Sequence, residues 1–418
     1  MNEHGQILVL VKNCAPIDIT LERNELIGHA ENLHGSDFAP LNAQSFYINA
    51  IQCKPISTDT KKFINDNVKL TVPDKERTEY LQLLYDNWAT FSLNKHDLGL
   101  CTKLKHDIEL KTKEPIYVKQ FKIPEAHMSE VKNQLTEWLK LGVVEPCRSK
   151  YNSPIFVVSK KDGGLRIVQD FRALNSETYV DKYSMHDVNE CVAEIGRSGS
   201  TIFSTLDLTS GFWQMQLEPQ AKATTAFTIP GIGQYCWTVA PMGLLGSPAS
   251  FQRLVETVLK GITNVIVYID DLIIHTDTHR KHRETLQMVF DRLRANNLKV
   301  NLKKCEFGST NVSYLGFRLT PEGIKPGLDK LAAVFNTPPP TCIKEVRQFL
   351  GLCNFFRAHV KNFSLISHPL TVLTKKDCKW KRGTLPQDAL KAFRELQSIL
   401  CSEPVIDYPR KNLSLIHI

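Results

Sequence analysis

The chain has 418 residues, which suggests about two to four domains. Its composition, 42% hydrophobic and 23% charged, is close to that of soluble globular proteins and excludes a mainly disordered or collagen-like chain. The sequence has no apolar run long enough to span a membrane, no signal-peptide layout at its N-terminus and no C-x-x-C pair among its 11 cysteines, so we expect an intracellular protein with reduced thiols.

The net charge of +8 hides an uneven distribution of charged residues. Residues 294–382 contain 16 Lys and Arg against 5 Asp and Glu, a surplus of +11, so the remainder of the chain sums to −3. Clustered positive charge is typical of proteins that bind a phosphate backbone, and a solvated basic face without a ligand has the same pattern. Charge alone leaves both interpretations open.

The first part of the chain begins with a predicted small β-rich segment over 1–50, where short apolar runs alternate with turn residues. Apolar residues at helical spacing then predict helices over 75–100 and 125–141. Two short apolar runs within 155–168 are separated by an Asp-Gly-Gly turn, so we expect a β-hairpin. Lys160 lies beside that turn.

The later part of the chain alternates predicted strands and helices. An apolar strand over 202–208 precedes a strongly amphipathic helix over 251–262, and the apolar run 265–274 is interrupted by two aspartates. The remaining predicted elements are a helix through 286–293, strands around Val300 and over 312–319, and two helical stretches through 346–353 and 389–400. Three prolines at 338–340 indicate a linker, because they continue neither a helix nor a sheet.

Three carboxylates in apolar surroundings are the strongest chemical signal. Asp270 and Asp271 interrupt an otherwise apolar strand pair, and Asp207 ends another apolar strand. An exposed Asp-Asp turn would explain the first two alone, but a buried unpaired charge costs several kcal/mol and needs a cation or a hydrogen-bonding turn. Strand ends that meet could hold divalent metal for phosphoryl or nucleotidyl transfer on a nucleic acid, since Mg²⁺ prefers oxygen ligands.

Six motifs, which follow one another along the chain in the order that the family requires, resemble those of reverse transcriptases, in particular of gypsy-type long-terminal-repeat retrotransposons. Residues 268–271 (Y-I-D-D) look like the Y-x-D-D box of that family, and residues 206–214 look like its first catalytic-aspartate motif. The other matching segments are a fingers motif within 160–175, the segment behind the incoming nucleotide at 242–252, a primer grip at 314–317 and a connection motif at 347–357. The resemblance covers roughly residues 95–410.

The resemblance implies an α+β fold shaped like a right hand. The implied layout is a β-rich post-protease spacer over 1–50, a helical linker over 51–100, fingers and palm over 101–330 with the palm core at 200–320, thumb and partial connection helices over 331–412, and a short tail over 413–418. In the family an RNase H domain follows at about residue 410. The sequence is therefore interpreted as a polyprotein fragment or a truncated gene model.

The resemblance also assigns the catalytic chemistry. Asp207, Asp270 and Asp271 would hold two Mg²⁺ ions, with Mn²⁺ as the alternative, and Asp271 would be the least direct ligand. One ion would lower the pKa of the primer 3′-hydroxyl, and the other would neutralise the triphosphate. The implied activity is RNA-directed DNA polymerisation with deoxynucleoside triphosphates as substrates.

Five positions match residues that contact the incoming nucleotide in the family. Lys160 and Arg166 would pair with the phosphates, and Phe212 would occupy the space of a ribose 2′-hydroxyl. Met242 and Gly243 lie in the segment behind the nucleotide. Met242 departs from the family pattern, because retroviral relatives usually carry glutamine there and gypsy-type elements often carry an aromatic residue.

The implied partners are nucleic acids and other parts of a Pol polyprotein. Tyr314, Leu315 and Gly316 match the primer grip, and the basic region 294–382 would bind the backbone of an RNA template and a DNA or tRNA primer. The resemblance further implies self-association or association with other Pol domains, no membrane contact, and a cytoplasmic virus-like particle with nuclear access as the setting.

Two alternative functions and one possible metal motif compete with this interpretation. The chain could be a catalytically silent nucleic-acid-binding remnant, or a phosphodiester nuclease that uses the same acids without needing the finger motifs. Three histidines, His275, His279 and His282, follow the acidic turn at a spacing that resembles that of zinc ligands. A helix start at 276–278 separates the first two, so we predict solvated polar residues there.

Overall fold

The computed structural model describes residues 56–159, 164–185 and 187–402. The predicted β-rich segment over 1–50, Lys160 and the tail over 413–418 lie outside the described residues. From Thr58 onward the chain belongs to one compact unit. The finer domain borders given above stay predictions.

Helices account for much of the described chain. In chain order they are α1 (Thr58–Asn67), α2 (Asp74–Asp86), α3 (Glu125–Leu141), α4 (Arg172–Ser176), α5 (Val188–Ser198), α6 (Pro219–Lys222), α7 (Ser247–Leu259), α8 (His279–Ala295), α9 (Leu328–Phe335), α10 (Ile343–Phe355), α11 (Phe363–Leu373) and α12 (Gln387–Cys401). None of the helices in the described ranges combines the length and the apolarity that a membrane span needs.

The strands are short and fall into several small sheets. They are β1 (Lys69–Leu70), β2 (Cys101–His106), β3 (Val144–Pro146), β4 (Ile155–Ser159), β5 (Leu165–Gln169), β6 (Ile202–Asp207), β7 (Met215–Leu217), β8 (Phe227–Ile229), β9 (Gly233–Trp237), β10 (Val265–Tyr268), β11 (Asp271–Thr276), β12 (Glu306–Ser309), β13 (Val312–Tyr314), β14 (Phe317–Thr320) and β15 (Gly323–Pro326). The mixture of helices and largely antiparallel strands agrees with the predicted α+β class.

A five-stranded sheet in the order β1-β12-β6-β11-β10 forms the centre of the unit. Only the β1–β12 pair is parallel; the other neighbours run antiparallel. Strand β11 is apolar on both faces, and Leu272, Ile273 and Ile274 are completely buried. Helix α8 packs against β11 and helix α7 against β10, while Ile273 lies in a hydrophobic core with residues of α5, β13 and β14.

Helix α7 forms where the amphipathic pattern predicts it, although it ends three residues earlier, at Leu259. Pro248 stands in its first turn, where the missing N–H of proline costs nothing. Its apolar positions, including Phe251, Leu254 and Val258, are fully buried. This burial fixes α7 behind the β10–β11 hairpin, and therefore behind the two aspartates of that hairpin.

The C-terminal helices α9 to α12 share one hydrophobic core with β13 and β14. Phe349 of α10 and Phe393 of α12 are buried, and their ring centroids lie 4.4 Å apart. The Pro338–Pro340 segment connects α9 to α10, as the linker prediction required. This helical layer is thus anchored to the β13–β14 hairpin, the predicted primer grip, through a continuous core.

Several predicted elements were confirmed and others were wrong. The helix predicted over 125–141 matches α3, and the predicted hairpin is the antiparallel pair β4–β5. The helix predicted over 75–100 ends at Asp86, apart from one turn at Trp88–Thr90. Phe91 instead pairs with Val300 in a β-bridge, and the predicted strand around Val300 is reduced to two such bridges, to Phe91 and to Leu208.

The prediction of solvated histidines was wrong for two of the three. His275 and His282 are buried in the sheet–helix interface, while His279 is partly exposed. The predicted helix start between the first two was confirmed, because α8 begins at His279. Burial was missed because the hydroxyl partners of these rings come from a different part of the sequence.

Both ring nitrogens of the buried His282 have a hydroxyl partner. The Ser204 hydroxyl oxygen accepts from the Gly308 N–H at 2.9 Å and lies 2.6 Å from His282 Nε2, to which it donates when the ring is neutral. Thr276 Oγ1 donates to the Thr278 carbonyl at 3.2 Å and accepts from His282 Nδ1 at 2.8 Å. Burial lowers the pKa of His282 to about 3, which agrees with a neutral ring that has both nitrogens engaged.

Candidate active site

Three aspartates meet at one end of the five-stranded sheet. Strand β6 ends at Asp207 and strand β11 begins at Asp271, and these two residues lie directly opposite each other in antiparallel register. Asp270 occupies the turn between β10 and β11, and its carbonyl accepts a hydrogen bond from the Leu208 N–H at 3.1 Å. The fold therefore brings together the three carboxylates that the sequence singled out.

The turn that carries Asp270 is held in a rarely adopted conformation. Ile269 has φ of 58°, a region that β-branched residues avoid. Its N–H donates to the side-chain oxygen of Gln252 at 2.5 Å. Gly211 packs closely on the other side, since an added Cβ would lie 3.2 Å from Asp270 Cβ. The strained turn is thus held by specific contacts on two sides.

The three carboxylates repel one another in partly buried surroundings. Burial raises the pKa of Asp271 to about 6, and the neighbouring charges of Asp270 and Asp207 contribute in the same direction. Burial also raises the pKa of Asp207, against a hydrogen bond from Lys304 Nζ to Asp207 Oδ2 at 3.0 Å. The three aspartates carry more negative charge than the contact with Lys304 neutralises, so the cluster favours a bound cation.

Two of the segments predicted to contact an incoming nucleotide, at Arg166 and at Met242–Gly243, are in contact with each other. Arg166 of β5 donates from its guanidinium to the sulfur of Met242 at 2.7 Å, and Met242 is half exposed. Gly243 has φ of 97°, and its carbonyl accepts from the Asn175 side chain at 2.9 Å. Lys160 lies outside the described residues, so its relation to Arg166 stays a prediction.

Phe212 lies on the short turn Gly211–Gln214 that follows β6. Its ring is half-buried and packs edge-to-face against the fully buried ring of Phe251, with centroids 5.6 Å apart. The partner ring belongs to α7, the same helix whose Gln252 bonds the turn that carries Asp270. The aromatic position is therefore fixed relative to the aspartates.

The predicted primer grip is a tight hairpin between β13 and β14. Leu315 and Gly316 form its two-residue turn, both with positive φ (49° and 86°), the geometry of hairpin turns that match strand twist. Tyr314 is buried, and its pKa is raised by burial and, to a lesser extent, by Cys191 and Asp271. The Gly316 carbonyl accepts from the Gly327 N–H at 3.0 Å, which ties the turn to the start of α9.

Comparison with known proteins identifies this arrangement. Residues 158–319 match the family described as reverse transcriptase (RNA-dependent DNA polymerase). The chain is 36% identical over 323 residues to the retrovirus-related Pol polyprotein from transposon opus of Drosophila melanogaster, covering 74% of this chain and 32% of that polyprotein. The chain contains a retrotransposon-type reverse transcriptase region.

A second relative and a solved structure extend the likeness of this reverse transcriptase region. The Pol polyprotein from transposon gypsy of Drosophila melanogaster is 32% identical over 363 residues, covering 83% of this chain and 34% of that polyprotein. The chain thus spans about a third of the length of the curated relatives it matches. The foamy viral protease-reverse transcriptase dRH in complex with ds DNA has a TM-score of 0.76 at 28% identity, covering 84% of this chain and 61% of that chain. The predicted α+β polymerase fold is confirmed.

Reverse transcriptases depend on divalent metal, and the carboxylate cluster fits that requirement. Among the described histidine, cysteine, aspartate and glutamate residues, no group of three or more side chains is arranged to hold a metal ion by itself. Magnesium in nucleotide sites is usually held by one or two carboxylates together with phosphates and water, so such a group of three is not needed. The raised pKa of Asp271 and the Lys304 contact with Asp207 indicate that positive charge is favoured there.

Three side chains that hold this reverse transcriptase site in place received no role from the sequence. Gln252 binds the turn that carries Asp270, Lys304 binds Asp207, and Asn175 bonds both the Gly243 carbonyl and the Leu245 N–H. Gln252 and Asn175 fall inside two of the six family motifs, so position in a motif was the available signal. Lys304 had none beyond a basic surrounding sequence.

Proposed function

We propose that the chain is an RNA-directed DNA polymerase that extends a primer with deoxynucleotides. A bond forms between the primer 3′-oxygen and the α-phosphorus of a deoxynucleoside triphosphate, and pyrophosphate leaves. The observation that carries this proposal is the meeting of Asp207 and Asp271 in direct register, with Asp270 in the adjoining turn. This arrangement lies within the segment that matches the reverse transcriptase family.

The three aspartates supply the negative charge that this chemistry needs. We assign Asp207 and Asp270 as the more direct ligands and Asp271 as the least direct. Two Mg²⁺ ions, or Mn²⁺ in their place, when bound would lower the pKa of the primer hydroxyl and neutralise the triphosphate. Neighbouring residues hold the carboxylates in place: Gln252 and Gly211 contact the turn that carries Asp270, and Lys304 bonds Asp207.

The nucleotide-side residues bind and select the substrate in this proposal. Arg166 and Lys160 pair with the triphosphate, for which Arg166 must leave the sulfur of Met242. Phe212 excludes a ribose 2′-hydroxyl by its bulk, supported by its contact with Phe251. The exposed thioether of Met242 then stands beside the bound nucleotide as a flexible apolar surface.

Primer and template are the proposed macromolecular partners. The hairpin turn at Leu315 and Gly316 contacts the primer end, and the basic region 294–382 contacts backbone phosphates without reading sequence. The solved foamy viral relative is in complex with ds DNA, which supports duplex binding by this chain as well. The other proposed partners are neighbouring Pol domains and a second copy of this chain.

The direct test is primer extension on poly(rA)/oligo(dT) with dTTP and Mg²⁺. The wild type is compared with Asp270→Asn and with the matched control Asp277→Asn, an exposed aspartate on the loop before α8. Extension by wild type and Asp277→Asn, with none by Asp270→Asn, supports the proposed polymerase and its carboxylates together. Duplex binding by all three proteins is measured in parallel.

Two outcomes would overturn the proposal. Equal extension by wild type and Asp270→Asn would show that the carboxylates do not act as assigned. Duplex binding without extension by any protein, in Mg²⁺ and in Mn²⁺, would instead favour the catalytically silent remnant.

A further inference from the structure

Gln252 is a buried link between α7 and the catalytic turn. It is 1% exposed, its side-chain oxygen accepts from the Ile269 N–H at 2.5 Å, and its amide nitrogen donates to the Val267 carbonyl at 2.8 Å. The same nitrogen donates to Glu256 Oε1 at 2.6 Å. Because the Ile269 N–H can only donate, the oxygen must face the turn, and both amide hydrogens are then used.

The bond to Ile269 matters because this residue precedes Asp270 in a strained conformation. A left-handed backbone costs roughly 1–2 kcal/mol for a residue with a β-carbon. Ile269 keeps φ of 58° only while surrounding contacts hold it there. Gln252 is the side chain that bonds the Ile269 amide, so its orientation decides where the Asp270 carboxylate stands.

The link continues outward through Glu256, one helical turn after Gln252 on α7. Its second carboxylate oxygen accepts a hydrogen bond from the Tyr183 hydroxyl. Arg253, on the same helix, lies over the Tyr183 ring at 4.7 Å and pairs with Asp181 at 2.8 Å. Two residues of the segment before α5 are therefore clamped to α7 by an ion pair, a ring contact and a hydrogen bond.

We propose that Tyr183 and Glu256 are positioning residues for the catalytic carboxylates, acting through Gln252. The path runs from the Tyr183 hydroxyl to Glu256, from Glu256 to the Gln252 amide, and from Gln252 to the Ile269 N–H. The positioning role rests on the proposed polymerase function, whereas the physical link can be measured without catalysis. Neither residue touches substrate or metal in this proposal.

Variants that remove one contact each test the path. Tyr183→Phe deletes the hydroxyl and keeps the ring under Arg253, and Glu256→Ala deletes both acceptor oxygens. Glu256→Gln keeps an oxygen for Gln252 and a polar group for Tyr183, so it is the conservative rescue. Tyr179→Phe is the matched control, because this tyrosine lies on the same segment and its side chain is exposed.

The first measurement is hydrogen–deuterium exchange of the peptide covering 265–273. Tyr183→Phe and Glu256→Ala should speed hydrogen exchange at the turn by about fivefold to tenfold. This factor corresponds to the loss of the net stabilisation that one hydrogen bond gives. Glu256→Gln and Tyr179→Phe should match the wild type. If exchange in Tyr183→Phe and Glu256→Ala equals that of the wild type, the link does not hold the turn and the inference is wrong.

The second measurement is the split between kcat and KM in primer extension. Misplaced carboxylates should lower kcat about tenfold, as outer-shell changes around metal ligands do, with the dTTP KM and duplex affinity unchanged. A fall in duplex affinity or a rise in KM without a change in kcat would contradict a positioning role. If the wild type does not extend the primer, only the proposed function is contradicted. The exchange experiment would still decide whether the link exists.

Discussion

Asp271 lies directly opposite Asp207 in the antiparallel pair β11–β6, so two carboxylates share one end of the central sheet. Side chains directly opposite each other are the closest neighbours in such a pair, and like charges there are destabilising. The register that creates this repulsion is fixed by the apolar residues Leu272 to Ile274, which must stay buried. The fold thus stores an electrostatic cost at the place where a cation would relieve it.

The first prediction concerns stability without metal. The pKa of the Asp271 carboxyl is raised from 3.8 to about 6 in the fold, so the folded chain binds this proton more tightly than the unfolded chain. The ionised form therefore destabilises the fold above about pH 6, and the effect fades as the pH falls toward 4. Asp271→Asn should raise the free energy of unfolding by about 1 kcal/mol at pH 7.5 in EDTA, after discounting for solvent screening.

Thermal unfolding in EDTA at pH 7.5 and pH 5 checks this expectation. The gain in melting temperature from Asp271→Asn should shrink at pH 5, and Asp277→Asn should give no gain at either pH. Added Mg²⁺ should stabilise the wild type more than Asp271→Asn. A variant that is less stable than the wild type at pH 7.5 would show that the carboxylate is already neutralised.

The second prediction concerns Lys304. Its ammonium lies 3.0 Å from Asp207 Oδ2 and competes with any cation that uses this oxygen. Lys304→Ala should lower the Mg²⁺ concentration needed for half-maximal thermal stabilisation by about two- to fivefold, the strength of one largely exposed ion pair. Lys303→Ala is the matched control, since Lys303 lies over the Phe63 ring, away from the aspartates. An unchanged or higher Mg²⁺ requirement in Lys304→Ala would mean that the lysine does not compete.

The candidate aspartates could be predicted because their signal is local. Charged residues that interrupt or end an apolar run stand out in the sequence, and the limits of the runs place these three at strand ends. Asp207, Asp270 and Asp271 were found in this way, and the motif resemblance added their grouping. The hairpin β4–β5 and helix α3 were likewise predicted from local periodicity and turn residues.

What could not be predicted depends on contacts between distant parts of the chain. The partners of His282 include Ser204, which lies on a different strand, so no local pattern indicated a buried ring. The role of Gln252 required the position of the Ile269 amide relative to α7. The residues after Asp86 looked helical by spacing, but pairing of Phe91 with Val300 overrode that preference.

The third prediction concerns selection of the nucleotide sugar. Phe212 is held in place by its edge-to-face contact with Phe251, so its bulk is rigid. Phe212→Val should raise the ratio of ribonucleotide to deoxynucleotide incorporation by about tenfold or more, in the range that a steric change in a pocket commonly gives. The ratio of kcat/KM values for UTP and dTTP on poly(rA)/oligo(dT) measures it. Phe171→Val, a change in a buried phenylalanine packed near Gly243, controls for loosened packing.

The fourth prediction concerns acid sensitivity. Burial lowers the pKa of His275 to about 4 and that of His282 to about 3 from 6.5, so the unfolded chain binds protons that the folded chain excludes. Their stabilising effect is present above pH 6.5 and is lost as the pH falls through the range below it. Each buried histidine should therefore lower the free energy of unfolding by about 2 kcal/mol between pH 8 and pH 5.

His282→Gln isolates one of these histidines. Glutamine does not titrate and can still reach a hydroxyl partner, so the variant starts less stable at pH 8 but should lose about 2 kcal/mol less on acidification to pH 5. Urea unfolding in EDTA at both pH values gives the comparison, and EDTA keeps metal binding out of it. His96→Gln is the control, because His96 is exposed and its replacement should leave the acid sensitivity as it is in the wild type. The same loss of stability in His282→Gln and the wild type would place the acid-sensitive groups elsewhere.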